Sequence, residues 1–165
     1  MSVSSGEKGE RMHRRSLLAA TVLAALATVG TAGARPDGGD QGTMCVHNTR
    51  LVAANETTGS TSTAKGHAQI KVQNDGAIQW KVFVLNRDGE TFFAGHVHVG
   101  LVGVAGPVVL PLHLGPATTA RQIRDRGESS ASTTLGAAIC TNPSNYYVNY
   151  HTTAFPGGAI RGQLG

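Results

Sequence analysis

Gly95-His96-Val97-His98-Val99-Gly100, running on into Gly106-Pro107-Val108-Val109-Leu110-Pro111-Leu112, is the stretch around which the rest of the chain is arranged. It predicts a β-strand, a tight glycine loop and a second strand. Successive side chains of a strand point to opposite faces, so residues two apart share a face. Val97 and Val99 are therefore expected on the side of Phe93, with His96 and His98 on the other. At a rise of about 3.3 Å per residue the two histidine Cα atoms stand roughly 7 Å apart. That spacing lets both imidazoles reach one metal ion or one anionic partner.

Working outward, alternation continues on both sides. Residues 64–73 place Ala68, Ile70 and Val72 on one face and His67, Gln69, Lys71 and Gln73 on the other, the period of a half-buried strand. Asn74-Asp75-Gly76 is a hairpin signal, because these residues reach positive φ at little cost. Ile78, Trp80, Val82 and Val84 then point inward, and Asn86-Arg87-Asp88-Gly89 turns the chain into the histidine strand, which predicts a three-strand meander. Residues 107–114 form a strand placed at an edge by Pro107 and Pro111. Residues 115–136 are polar and read as a loop with at most a helical turn. Tyr146, Val148 and Tyr150 share one face of a later strand and Asn149 and His151 the other; Phe155-Pro156-Gly157-Gly158 turns into residues 159–164. With an earlier strand over 45–54, the expected fold is an all-β antiparallel sandwich of about seven or eight strands, Ig-like or superoxide-dismutase-like.

Residues 1–34 read as an export signal rather than fold. Arg11, Arg14 and Arg15 precede an apolar run over 17–27, and Ala32-Gly33-Ala34 suits cleavage. The run is short for a membrane anchor. Arg14-Arg15 fits a twin-arginine (Tat) signal and equally a Sec signal that carries two arginines. Residues 35–43 are expected to be a flexible leader and 44–165 the folded domain, secreted and without a membrane span after cleavage. Of the net charge of +4, residues 1–34 account for +2 (Lys8, Arg11, Arg14 and Arg15 against Glu7 and Glu10), so the remainder carries +2. With no Lys/Arg stripe in the sequence, no nucleic acid partner is expected. Cys45 and Cys140 are the only cysteines. An exported pair predicts a disulfide, the alternative being free thiols with one a metal ligand.

Three motifs in order resemble the CHRD (chordin) domain. They are Gly95–Gly100 with the Gly103–Val109 that follows, Tyr147-Val148-Asn149-Tyr150-His151-Thr152, and Pro156-Gly157-Gly158-Ala159-Ile160-Arg161-Gly162-Gln163-Leu164. The resemblance covers most of residues 45–165. It implies an extracellular β-sandwich module, single in bacterial secreted proteins and without a well-established activity. Ala159 stands where that family usually carries Glu, and Thr57-Thr58 follow Asn55-Glu56 where it usually has Val-Pro.

His96, His98 and His151 are the candidate metal ligands, since neutral imidazoles suit Cu(II) or Zn(II). An H-x-H strand plus a further histidine is similar, in local pattern only, to copper/zinc superoxide dismutase, without that enzyme's zinc-loop ligands. The competing expectation is that His96 and His98 bond loop carbonyls and His151 caps a turn. Arg161 reads either as a carboxylate clamp, with Asn149 and Gln163 as further binding residues, or as an ion pair with Glu56 or Asp88. His47, His67 and His113 are expected to be solvated, and Tyr146, Tyr147 and Tyr150 to pack. No nucleophile elbow, phosphate loop, H-E-x-x-H or paired carboxylates occur, so no catalytic residue is assigned. The first functional reading is a secreted non-enzymatic module that binds an extracellular protein, glycan or surface component through the loops around 96–106 and 149–158. The alternative is a small copper- or zinc-binding protein, with redox activity open to it.

Overall fold

The strong alternation in the sequence becomes eight antiparallel strands, and turn residues set most of their limits. The computed structural model describes residues 42–113, 115–130 and 133–165; the expected signal over 1–34 and most of the leader lie outside them. The strands are β1 (Thr43–Val52), β2 (Lys65–Gln73), β3 (Ile78–Leu85), β4 (Phe92–Val99), β5 (Val108–Pro111), β6 (Gln122–Ser129), β7 (Tyr146–Thr152) and β8 (Ile160–Gln163). One α-helix, α1 (Thr133–Thr141), follows β6. All eight strands form one sheet, ordered β5-β4-β7-β8-β1-β2-β3-β6. The joint between its halves is narrow: β1 and β8 pair only at Val52 and Arg161. The sheet curls there, so β5-β4-β7-β8 and β1-β2-β3-β6 face each other as the two layers of a sandwich.

Between the layers lie Leu51, Ile70, Val72, Ile78, Trp80, Val84, Phe92, Val97, Leu110, Leu112, Val148, Tyr150 and Ile160. Polar bonds close the open side. Trp80 Nε1 donates to the Leu112 carbonyl at 3.1 Å, and Tyr150 Oη donates to Asp125 of β6 at 2.7 Å. Cys45 and Cys140 stand at disulfide distance, with sulfurs 1.92 Å apart, tying β1 to α1. Among the described residues no helix is long and apolar enough to cross a membrane.

Four expectations are corrected. The meander stops at β3, which pairs with β6, while β4 crosses to the other layer. Buried Asn86 fixes that crossing: its Nδ2 donates to Glu90 O at 2.8 Å and its Oδ1 accepts from Glu90 N at 2.9 Å. Residues 115–136 are not a loop, since they hold β6 and the start of α1. The register between β4 and β7 shifts between Phe92 and Ala94, an extra residue that puts Phe92 in the core and Phe93 outside. Phe93 thus shares the histidine face rather than that of Val97. His113 is not solvated, because its Nδ1 lies 2.9 Å from Asp125 and its side chain is 5% exposed.

Candidate metal centre

The outer face of β4 and β7 is polar at alternate positions, and register decides which of these meet. His96 lies opposite Asn149, His98 opposite Tyr147, and Ala94 opposite His151. Across β7, Tyr147 pairs with Gln163 and Asn149 with Arg161. One face therefore collects His96, His98, Tyr147, Asn149, His151, Arg161 and Gln163. Val97 and Gly95 point inward, where the Tyr150 ring covers Gly95 so closely that an added Cβ would lie 2.5 Å from it.

His96, His98 and His151 converge, with one ring nitrogen of each within 4.8 Å of the other two. His96 Nδ1 and His151 Nε2 are 3.1 Å apart. His98 Nδ1 lies 2.8 Å from the Gly106 carbonyl and His151 Nδ1 lies 2.9 Å from the Pro156 carbonyl. A carbonyl only accepts, so both Nδ1 atoms carry the proton, and each Nε2 keeps its lone pair. The loop-carbonyl bond expected of His98 is present. That expected of His96 is not, its Nδ1 facing His151 instead, and His151 bonds the Pro156 carbonyl in the turn after β7. The bonds at His98 and His151 free the opposite nitrogens. His98 Nε2 is buried and has no hydrogen-bond partner among the described residues. Orienting carbonyls of this kind are the usual outer support of a metal-bound histidine.

Electrostatics hold the rings neutral. Burial pushes the His96 pKa down to about 4, and the neighbouring His151 and His98 push the same way. Burial also lowers His98 and His151, outweighing the opposing carbonyl bonds. Neutral imidazole is the ligating form. Three nitrogen donors suit copper(II) or zinc and leave a coordination position open.

The wall beside the histidines is built by the strap 100–107. Arg161 is 2% exposed and donates to the carbonyls of Val104 at 3.0 Å and Leu101 at 2.8 Å, and to Gln163 Oε1 at 3.2 Å. Its guanidinium carbon lies 3.4 Å from the centre of the Tyr147 ring, whose other neighbour is His98, stacked at 4.8 Å between ring centres. Gln163 Nε2 donates to Gly100 O, and Gly106 N donates to Tyr147 Oη. Neither reading of Arg161 as an ion pair survives: among the described residues no carboxylate lies within ion-pair distance of it. Asn149 Nδ2 donates to Glu56 Oε1 at 2.9 Å. The carboxyl of Glu56 is pushed up to about 7 by burial, against the opposing pull of the Arg161 charge and of the Thr57 N–H.

The CHRD domain family matches residues 48–164. The chain belongs to the CHRD family. No curated protein and no solved structure matches it significantly. The three motifs that carried the resemblance of this CHRD domain all end at the one polar face. Ala159 does not: it is fully buried in the core, and the carboxyl beside Asn149 comes instead from Glu56. Glu56 and Tyr147 were not singled out as site residues from the sequence. The register of Asn149 against Arg161 across β7 and β8 is what brings them in, and no linear spacing encodes it.

Proposed function

We propose that this CHRD domain is an exported metal-binding module that holds one copper or zinc ion on His96 Nδ1, His98 Nε2 and His151 Nε2. The observation that carries the reading is His98 Nε2, a buried lone pair without a partner, facing two further ring nitrogens. Buried polar atoms are rarely left unpaired, and an ion resolves this one. His96 Nδ1 donates to His151 Nε2 in the metal-free arrangement; to serve as a ligand His96 would lose that proton to solvent and carry one on Nε2 instead. The domain assigns no catalytic group; the open coordination position would accept water or a ligand atom from a partner. Export rests on the disulfide, the family's typical extracellular setting and the signal expected over 1–34. Metal analysis of tag-free protein after reconstitution tests the proposal: one ion per chain in the wild type and none in His98→Ala is expected. Unchanged content in His98→Ala removes it.

The reading as a partner-binding module keeps one observation in its favour. Leu101, Val102, Val104 and Val108 are 57%, 76%, 50% and 49% exposed on and just after the strap, an apolar patch of the kind that marks contact sites. If they dock an extracellular protein or surface component, the double variant Val102→Ser, Val104→Ser loses retention at the cell surface and keeps its metal.

A further inference from the structure

The outer face of the other layer takes no part in the metal centre, and its composition is lopsided. Arg50 of β1, Lys65 and Lys71 of β2, Lys81 of β3, and Arg124 and Arg126 of β6 all project from it, with Glu128 as the only carboxylate these strands turn outward, Asp125 of β6 alternating to the inner side. Six cations against one carboxylate exceed the net charge of +4 carried by the whole chain. The sequence showed no basic stripe because residues 50 and 126 are far apart; the register gathers them. Arg50, His67, Phe83 and Arg124 form one row across the strands, and Asn48, Gln69, Lys81 and Arg126 the next. Rows lie roughly 7 Å apart and neighbours within a row about 4.8 Å. Over the middle of them is an open hollow of about 480 Å³, lined by His67, Gln69, Lys81, Phe83, Arg124 and Arg126 with Val82 and Asp125 at its edge; the Asp125 carboxylate is engaged from the core side by Tyr150 and His113.

These cations are unspent. Among the described residues none of the six has a carboxylate within ion-pair distance, and Glu128 itself accepts from Gln79 Nε2 at 2.7 Å. A surface with one sign of charge and no internal neutralisation attracts a polyanion. We propose that this face binds an extended carboxylated polysaccharide.

The chemistry of the rows selects that class. Arg124 lies 5.1 Å from the centre of the Phe83 ring, which fixes its planar fork and leaves its edge for a carboxylate. Phe83 is 36% exposed at the centre of the face, an apolar plate against which a pyranose ring can lie. The amides of Asn48 and Gln69, already bonded to each other at 3.1 Å, offer remaining donors and acceptors to hydroxyls. The major groove admits a helix or a two-stranded ribbon, and a face four strands wide is too broad to enter it; a single central aromatic also offers little base stacking. The same single plate is too little apolar surface to enter a lipid layer.

Calorimetric titration of the full, disulfide-intact chain with polygalacturonate tests the proposal, with neutral dextran, duplex DNA and phosphatidylglycerol vesicles run in parallel. Expected is saturable binding to polygalacturonate that weakens with salt, and none to dextran. The double variant Lys81→Glu, Arg126→Glu should lose at least about tenfold in affinity, with thermal stability and metal content unchanged. Phe83→Ala should lose about threefold without altering the salt dependence. Absent binding, equal binding to dextran, wild-type affinity in the charge-reversed variant, or tighter binding to DNA or vesicles than to polygalacturonate would each overturn it.

Discussion

Glu56 and the histidines pull the pH dependence of stability in opposite directions, and single residues separate them. Burial raises the folded-state pKa of Glu56 from an ordinary 4.5 to about 7. A raised folded pKa means that the native state holds its proton more tightly than the unfolded chain. The stability this contributes is complete below about pH 4.5 and is lost as pH rises through about 7. Glu56→Gln should therefore match the wild type at pH 5 and exceed it at pH 8, in denaturant midpoints compared at the two values. His96 runs the other way: its pKa falls from 6.5 to about 4, so its contribution is present above pH 6.5 and lost as the pH drops to 4. Gly95 is a second residue-scale test, since a methyl there meets the Tyr150 ring. Gly95→Ala should cost about 1–3 kcal/mol, the usual range for overpacking a filled core, read as a lowered melting temperature.

The strap 100–107 is the element that joins the family motifs to the centre, and Arg161 pins it at two carbonyls. Arg161→Met keeps much of the packing on Tyr147 and removes the donors. It should cost about 3 kcal/mol, because hydrogen bonds to a buried charged donor are the strong ones. Amide exchange at Leu101–Val104 should quicken ahead of β4 and β7; uniform exchange would contradict the pinning. At this scale the sequence was readable where one face is apolar, as in β2, β3 and β7. It was opaque in β6, whose inward positions are Ile123, Asp125, Gly127 and Ser129. Asp125 is there to meet Tyr150 and His113, and Gly127 to admit the Trp80 ring, so tertiary demands erased the alternation. Phe93 was misplaced for a similar reason, because a bulge changes parity and leaves no mark in composition. The H-x-H pair was legible from its spacing; its convergence with His151 depends on the pairing of β4 with β7.

For the molecule as a whole, the sheet is one hydrogen-bonded surface with a weak seam at Val52 and Arg161, and the Cys45–Cys140 link, packed against the core, ties β1 to α1. Its 95-residue separation gives a chain-entropy contribution of about 4–5 kcal/mol. The double variant Cys45→Ser, Cys140→Ser should show a correspondingly lower urea midpoint with the same strand signature in circular dichroism. A midpoint unchanged by the substitutions would show that the core alone holds the two layers together. The curl of the sheet leaves two unlike outer faces, a histidine centre under its strap and a basic face with six cations against Glu128 alone. The central claim is that the first of these is a three-nitrogen metal site. X-ray absorption at the edge of copper or zinc bound to tag-free protein tests it most directly. The account predicts three nitrogen scatterers with imidazole character at about 2.0 Å, reduced in His98→Ala. A first shell of oxygen alone, or one that His98→Ala leaves untouched, would contradict it.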